Sequence, residues 1–201
     1  MPHGPLDLSR RCPRCFFPRA ECLCLDVPRV ATRTRFLVLR HASELVRSSN
    51  SGRWAALALF QARILDYALP GPPADLSALE EPGTAVLFPS PHAPRLTAPP
   101  RQVIVLDGTW AQARRMIQRI PALRTLPRLS LPARTCPGLR PGLSLDEPLR
   151  KPTVAGGFST IEAMAGALVL LGEPEAARAL DALHAAALER AWRLRRGPRP
   201  T

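Results

Sequence analysis

Two stretches of this 201-residue chain carry the residue types that chemistry needs. The first is Val103-Ile104-Val105-Leu106-Asp107-Gly108-Thr109-Trp110. Four consecutive aliphatic residues read as a strand buried on both faces. Thr109, with Gln112 three residues on, forms a capping-box pattern that opens a helix. Asp107 thus stands at the carboxyl end of a buried strand, the edge of an open α/β sheet where ligands bind. A carboxylate held there can take up a proton, and burial raises its pKa toward neutrality. The alternative is a local one, in which Asp107 caps the turn through the amides of Thr109 and Trp110. The second stretch holds Cys12, Cys15, Cys22 and Cys24 in the pattern C-x-x-C, a short gap, then C-x-C. Four thiolates at this spacing can surround one tetrahedral zinc ion, and so short a segment has too little core to fold otherwise. The alternative is two surface cysteine pairs without metal. Arg10, Arg11, Arg14 and Arg19 surround the cluster, so a metal-pinned loop could also meet a phosphate backbone.

The elements that must position these groups follow from periodicity. Residues 35–40 read as a first strand ending at His41. The loop after it, from His41 to Asn50, is rich in groups that bind or transfer protons, among them Glu44 and Arg47. Singly, His41 could be a strand-end cap, and Glu44 and Arg47 a surface ion pair. A helix is predicted from about Gly52 to Asp66, with Trp54, Leu57, Ala58, Ile64 and Leu65 facing inward. The proline-rich residues 70–83 read as a connecting loop. Residues 84–88 read as a second strand, ending in Pro89-Ser90-Pro91-His92. In the helix after Asp107, Ala113, Met116, Ile117 and Ile120 fall on one face, opposite Arg114, Arg115, Gln118 and Arg119. A short strand is expected within 126–131, then a long glycine- and proline-rich loop over 136–157 containing Leu149-Arg150-Lys151-Pro152. Ser159 and Glu162 form a second capping box, opening a helix that stops at Gly172. Its exposed amides could receive an anionic group, though a good helix start needs no ligand. A last helix covers about 174–196. Strands alternating with helices imply an α/β fold with a largely parallel sheet. The expected division is a cysteine-rich segment over 1–30 and an α/β domain over 31–201.

Charge narrows the partners. A net charge of +12 with a sequence pI near 11.3, almost all of it arginine because Lys151 is the only lysine, suggests a polyanion such as nucleic acid. A merely soluble basic surface is the other reading. The amino terminus has no run resembling a signal peptide, and no apolar stretch is long enough to span a bilayer. A cytosolic location is therefore expected, where clustered cysteines favour metal over disulfides. Phosphate-loop, dinucleotide-fingerprint and H-E-x-x-H motifs are absent. Cys136 stands apart from the other cysteines and reads as a structural thiol.

Taken in order, these residues resemble the DTW-domain family, which is similar to the SPOUT class of RNA-modifying enzymes. The resemblance rests on Asp107-Gly108-Thr109-Trp110, the cysteine cluster, Arg40-His41 with Glu44 and Arg47, Leu87-Phe88-Pro89-Ser90, Arg150-Lys151, and Ser159-Thr160-Ile161-Glu162-Ala163. One departure is Ser51 after Asn50, where the family is expected to carry threonine. The resemblance implies a SPOUT-like, mostly parallel sheet flanked by helices with a carboxyl-terminal trefoil knot. It also implies a small amino-terminal zinc-binding cysteine knuckle. The implied activity is transfer of the 3-amino-3-carboxypropyl group of S-adenosylmethionine to N3 of a tRNA uridine, in the variable loop, releasing methylthioadenosine.

On that resemblance Phe88, Pro89, Ser90, Leu106, Gly108, Thr109, Leu149, Lys151, Ser159, Thr160 and Glu162 face S-adenosylmethionine. Arg40, His41, Glu44, Arg47, Asn50, Trp110, Gln112 and Arg150 face the tRNA. Asp107 removes the N3 proton, because the sulfonium already supplies a good leaving group. Arg40 or Arg47 could hold the transferred carboxylate bidentately, and Trp110 could stack on a base or on adenine, or belong to the core. Two other readings stay open: a methyltransferase using the same donor, and a non-catalytic zinc-containing RNA-binding module.

Overall fold

The structure is a computed structural model that describes residues 9–89, 96, 98–132 and 157–196. Its framework is a five-stranded parallel sheet built from β1 (Arg35–His41), β2 (Ala62–Tyr67), β3 (Thr84–Leu87), β4 (Gln102–Asp107) and β5 (Arg128–Leu129). Their order across the sheet is β2-β1-β4-β3-β5. The helices are α1 (Ser51–Ala58), α2 (Trp110–Arg119), α3 (Pro121–Thr125), α4 (Thr160–Leu170) and α5 (Pro174–Arg196).

β1, β3 and β4 are apolar on both faces because both faces are covered. Phe36, Val38, Val103 and Val105 pack against Trp54 and Ala55 of α1, Ile161 and Met164 of α4, and Leu180 of α5. Leu37, Leu39, Val86 and Ile104 pack on the other side against Met116 of α2 and Leu123 of α3. Both helix starts expected from capping boxes are present, at Thr109–Gln112 and at Ser159–Glu162. α4 ends where Gly172 takes a positive φ of 73° and the Glu173 amide donates back to the Leu168 carbonyl at 2.8 Å, a close only glycine adopts without strain.

The helix expected from Gly52 to Asp66 is corrected. α1 stops at Ala58, and Ala62–Tyr67 is the edge strand β2, paired with β1 from Phe36↔Ala62 to His41↔Tyr67. Trp54 and Ala58 are buried as expected, but Ile64 packs on one side of the sheet and Leu65 on the other. The otherwise open edge of β1, buried from Phe36 to Arg40, needs backbone partners, and that demand outweighs the weak helical preference of Ile64 and Tyr67. The connecting segment 70–83 contains a single 3-10 turn, Ser77–Glu80, which buries Leu79. Ser90, Leu149, Arg150 and Lys151, Cys136, and almost all of the 136–157 loop lie outside the described residues. Among the described residues no helix is long and apolar enough to cross a membrane.

Candidate active site

Strand register brings three charged residues to one rim. Arg40 lies opposite Asp66 of β2 and opposite Asp107 of β4. Its guanidinium grips Asp66 through two hydrogen bonds, Nε to Oδ1 at 2.7 Å and Nη2 to Oδ2 at 3.1 Å. Arg40 therefore has a resident carboxylate, which sequence spacing alone did not reveal.

Asp107 is only 3% exposed, yet neither oxygen is unsatisfied. Asn50 Nδ2 donates to Oδ2 and Thr160 Oγ1 donates to Oδ1, each at 2.6 Å. Asn50 is the N-cap of α1 and Thr160 the first residue of α4, so the carboxylate clasps two helix starts to the end of β4. The alternative in which Asp107 caps the Thr109 amide is not what forms: that amide donates instead to Gln112 Oε1 at 2.8 Å. Burial pushes the Asp107 carboxyl above the usual carboxylate range; the Asn50 and Thr160 hydrogen bonds oppose this, Glu44 adds to it, and Arg40 pulls it back. Each oxygen uses one of its two lone-pair sites, leaving capacity to accept a proton.

Gly52, not foreseen as a site residue, makes this packing possible. A Cβ there would lie 2.9 Å from both Cγ and Oδ2 of Asp107. The available signal was a glycine within the first turn of a helix, where it weakens the helix unless close approach requires it. Gly52→Ala is expected to lower stability by about 1–2 kcal/mol, overpacking outweighing the gain in helix propensity. It should also cut turnover by displacing the carboxylate. Thermal melts and rate assays check this, and a raised melting temperature would show that the clasp tolerates displacement.

The loop after β1 and the start of α2 are joined by side chains. Gln112 Nε2 donates to Ser43 Oγ at 2.9 Å, and Ser43 Oγ lies 2.9 Å from His41 Nδ1. The Ser43 amide also donates to Nδ1, so His41 is a cap as well as a rim residue. Trp110 is no core residue. It is 39% exposed and stacks on Phe88 with ring centroids 4.9 Å apart. The side expected to face the donor and the side expected to face RNA thus meet in one aromatic pair. Glu44 is buried and Arg47 exposed. Ser159 and Glu162 hydrogen-bond each other in their capping box, and the Ile161 amide donates to Ser51 Oγ at 3.3 Å. The first turn of α4 is thereby largely satisfied from within, and Ser51 supplies the hydroxyl expected at its position.

The four cysteines converge, with all their Sγ atoms within 4.8 Å of one another. Cys12 and Cys24 are 3.6 Å apart, Cys15 and Cys22 3.8 Å. A tetrahedral ion with bonds of about 2.3 Å to sulfur has edges of about 3.8 Å, the spacing of these two pairs, so the donor set fits one metal ion once its longer edges close by up to about 1 Å. Burial pushes the Cys15 thiol up. Burial works against the Cys12 thiolate too, but the amides of Cys15 and Arg14 overcome it and bring Cys12 down to about 6. The segment is fastened to α1. Trp54 Nε1 donates to the Cys15 carbonyl at 3.0 Å, Phe17 packs on Trp54, and the Arg53 guanidinium lies 3.6 Å from the Phe16 ring centre.

No solved structure matches the chain. In sequence it is similar to the tRNA-uridine aminocarboxypropyltransferase 2 of Drosophila melanogaster, at 30% identity over 180 residues that cover 83% of this chain and 68% of that protein. The model of one family, described as the DTW domain, matches residues 9–191. That span runs from the cysteine segment, through the Asp107–Trp110 rim, into the last helix, and by it the chain belongs to the DTW domain family.

Proposed function

We propose that the protein transfers the 3-amino-3-carboxypropyl group of S-adenosylmethionine to N3 of a uridine in tRNA, with the variable loop as the expected location. The observation that carries this reading is the likeness to a tRNA-uridine aminocarboxypropyltransferase across most of the chain. It is supported by a buried acid with a raised pKa at the carboxyl rim of a parallel sheet.

In this reading the N3–Cγ bond forms as the Cγ–S bond breaks, and the bonding pair returns to sulfur. The leaving group is neutral methylthioadenosine. The N3 proton goes to Asp107, held by Asn50 and Thr160. The donor faces the rim made by Phe88, Pro89, Leu106, Gly108, Thr109 and the start of α4, with Ser90, Leu149 and Lys151 carried over by resemblance. The RNA lies toward Arg40, His41, Arg47 and the exposed face of Trp110. The ion held by the four cysteines is zinc, and residues 1–30 serve as its segment beside a catalytic domain over 31–201. A SPOUT-like fold with a carboxyl-terminal knot, and a cytoplasmic location, belong to the same reading.

Incubating the protein with tRNA and S-adenosylmethionine tests it by the by-product released. Methylthioadenosine, with a matching mass increase on a tRNA uridine, is the expected result. S-adenosylhomocysteine would make the protein a methyltransferase. Neither product, with tRNA still bound, would leave the zinc-containing RNA-binding module.

A further inference from the structure

Two clefts adjoin along the outer side of α1. The larger, about 450 Å³, is lined by Arg14 and Phe16 of the cysteine segment, Arg40 and Arg63 of the sheet, and Arg53 of α1. The smaller, about 220 Å³, shares Arg14, Ala56, Leu57 and Ala62 with it and adds Arg29 and Phe60. Together they make one path with five arginines along it.

Among the described residues, carboxylates balance two of these five cations. Arg40 is matched by Asp66, and Arg63 by Glu81, which Arg35 shares. Arg53 is buried and forms no ion pair with a carboxylate among the described residues; its guanidinium donates to the carbonyls of Leu45 and Arg47. Burial, and after it the neighbouring Arg40, bring its pKa down to about 10, while the charges of Asp107 and Asp66 oppose the shift. Arg14 and Arg29 are exposed and pair with no carboxylate among the described residues. Arg29 instead stacks over Phe60, 4.5 Å from the ring centre, and Phe60 is 56% exposed. A cleft walled by one sign of charge concentrates anions. Guanidinium forks suit phosphate oxygens, and an exposed aromatic beside them suits a base. The inner end of the path is Arg40, which lies opposite Asp107 in strand register.

We propose that this path binds successive phosphodiesters of the tRNA backbone through Arg14 and Arg29, with Phe60 beside them at the outer end, and so leads the strand toward the Asp107 rim. The proposal rests on the tRNA reading above. It assigns an RNA contact to the groove between the cysteine segment and α1, apart from the rim where the reaction is placed.

The test is the salt dependence of tRNA binding by the full chain and by Arg14→Gln/Arg29→Gln. Both side chains are exposed, so the variant should fold. Its affinity at low salt is expected to fall roughly ten-fold or more, and the slope of log affinity against log salt to shrink by about 1.5 to 2, the share of two lost phosphate contacts. A charge-matched control, Arg124→Gln/Arg178→Gln, should keep the wild-type affinity far more nearly. Equal losses in both variants, or a double variant with the wild-type slope, would overturn the groove while leaving the tRNA reading intact. If the wild-type protein binds no tRNA, the functional reading itself fails. Inorganic phosphate that displaces no tRNA at tens of millimolar would also count against a phosphate path.

Discussion

Asp107→Asn is expected to lower turnover by about 10²- to 10⁴-fold, the range for loss of a general base, while the melting temperature stays level or rises slightly. The replacement is nearly isosteric, so the clasp survives. The new amide oxygen still accepts from Asn50, and its NH₂ can donate to the Thr160 hydroxyl, which reverses its role. What disappears is the lone pair that could take a proton and the buried negative charge. The sign of the stability effect follows from the raised carboxyl pKa. Between the usual carboxylate range and the raised value, the folded chain keeps a proton that the unfolded chain has released. Stability therefore falls as pH rises through that window, and above it the ionised Asp107 is a net cost. Asparagine removes that slope. Activity runs the other way in the wild type, rising as pH climbs through the raised pKa because only the ionised carboxylate can accept the N3 proton. A variant that turns over normally would remove Asp107 from the chemistry. A variant that melts many degrees lower would make it a structural clasp between α1 and α4.

Local signals carried much of this fold and site, and non-local ones the rest. The β4–α2 junction was legible because an unbroken aliphatic run and a capping box both act within a few residues. The cysteine quartet was legible for the same reason, its spacing being the geometry. β2 was not. Its residues choose strand over helix only because β1 presents an open edge, a demand set by residues about 26 positions earlier in the chain. The same distance hid Asp66 as the partner of Arg40. Asn50, Asp107 and Thr160 were each singled out, but their meeting spans separations of 57 and 53 residues and depends on how α1 and α4 dock on the sheet. Phe88 and Trp110 were assigned to different ligands, while the parallel pairing of β3 with β4 sets their rings face to face.

Stripping metal from the cysteine cluster should cost activity before it costs the whole fold. Cys12, Cys15, Phe17 and Leu23 belong to the same apolar core as Trp54 and α4, so the segment is part of the body of the protein. Without an ion, four sulfurs packed within 4.8 Å must be protonated or repel one another, and their loop loosens. Losing the Trp54 hydrogen bond and the packing of Phe17 is worth about 3–5 kcal/mol, or roughly 10 °C in melting temperature for a chain of this length. The catalytic effect travels further. Phe16 lies against Arg53, and Arg53 fastens the carbonyls of Leu45 and Arg47 in the loop that ends at Asn50. Asn50 in turn holds Asp107. Chelation, or Cys15→Ser, should therefore release one metal ion per chain and drop turnover at temperatures where circular dichroism still reports a folded sheet. Readdition of zinc after chelation should restore both rate and melting temperature. Native protein that contains no metal, whose four thiols react freely and whose melting is indifferent to chelator, would show instead that the cysteines pack as thiols and that the link from Phe16 to Asp107 needs no ion.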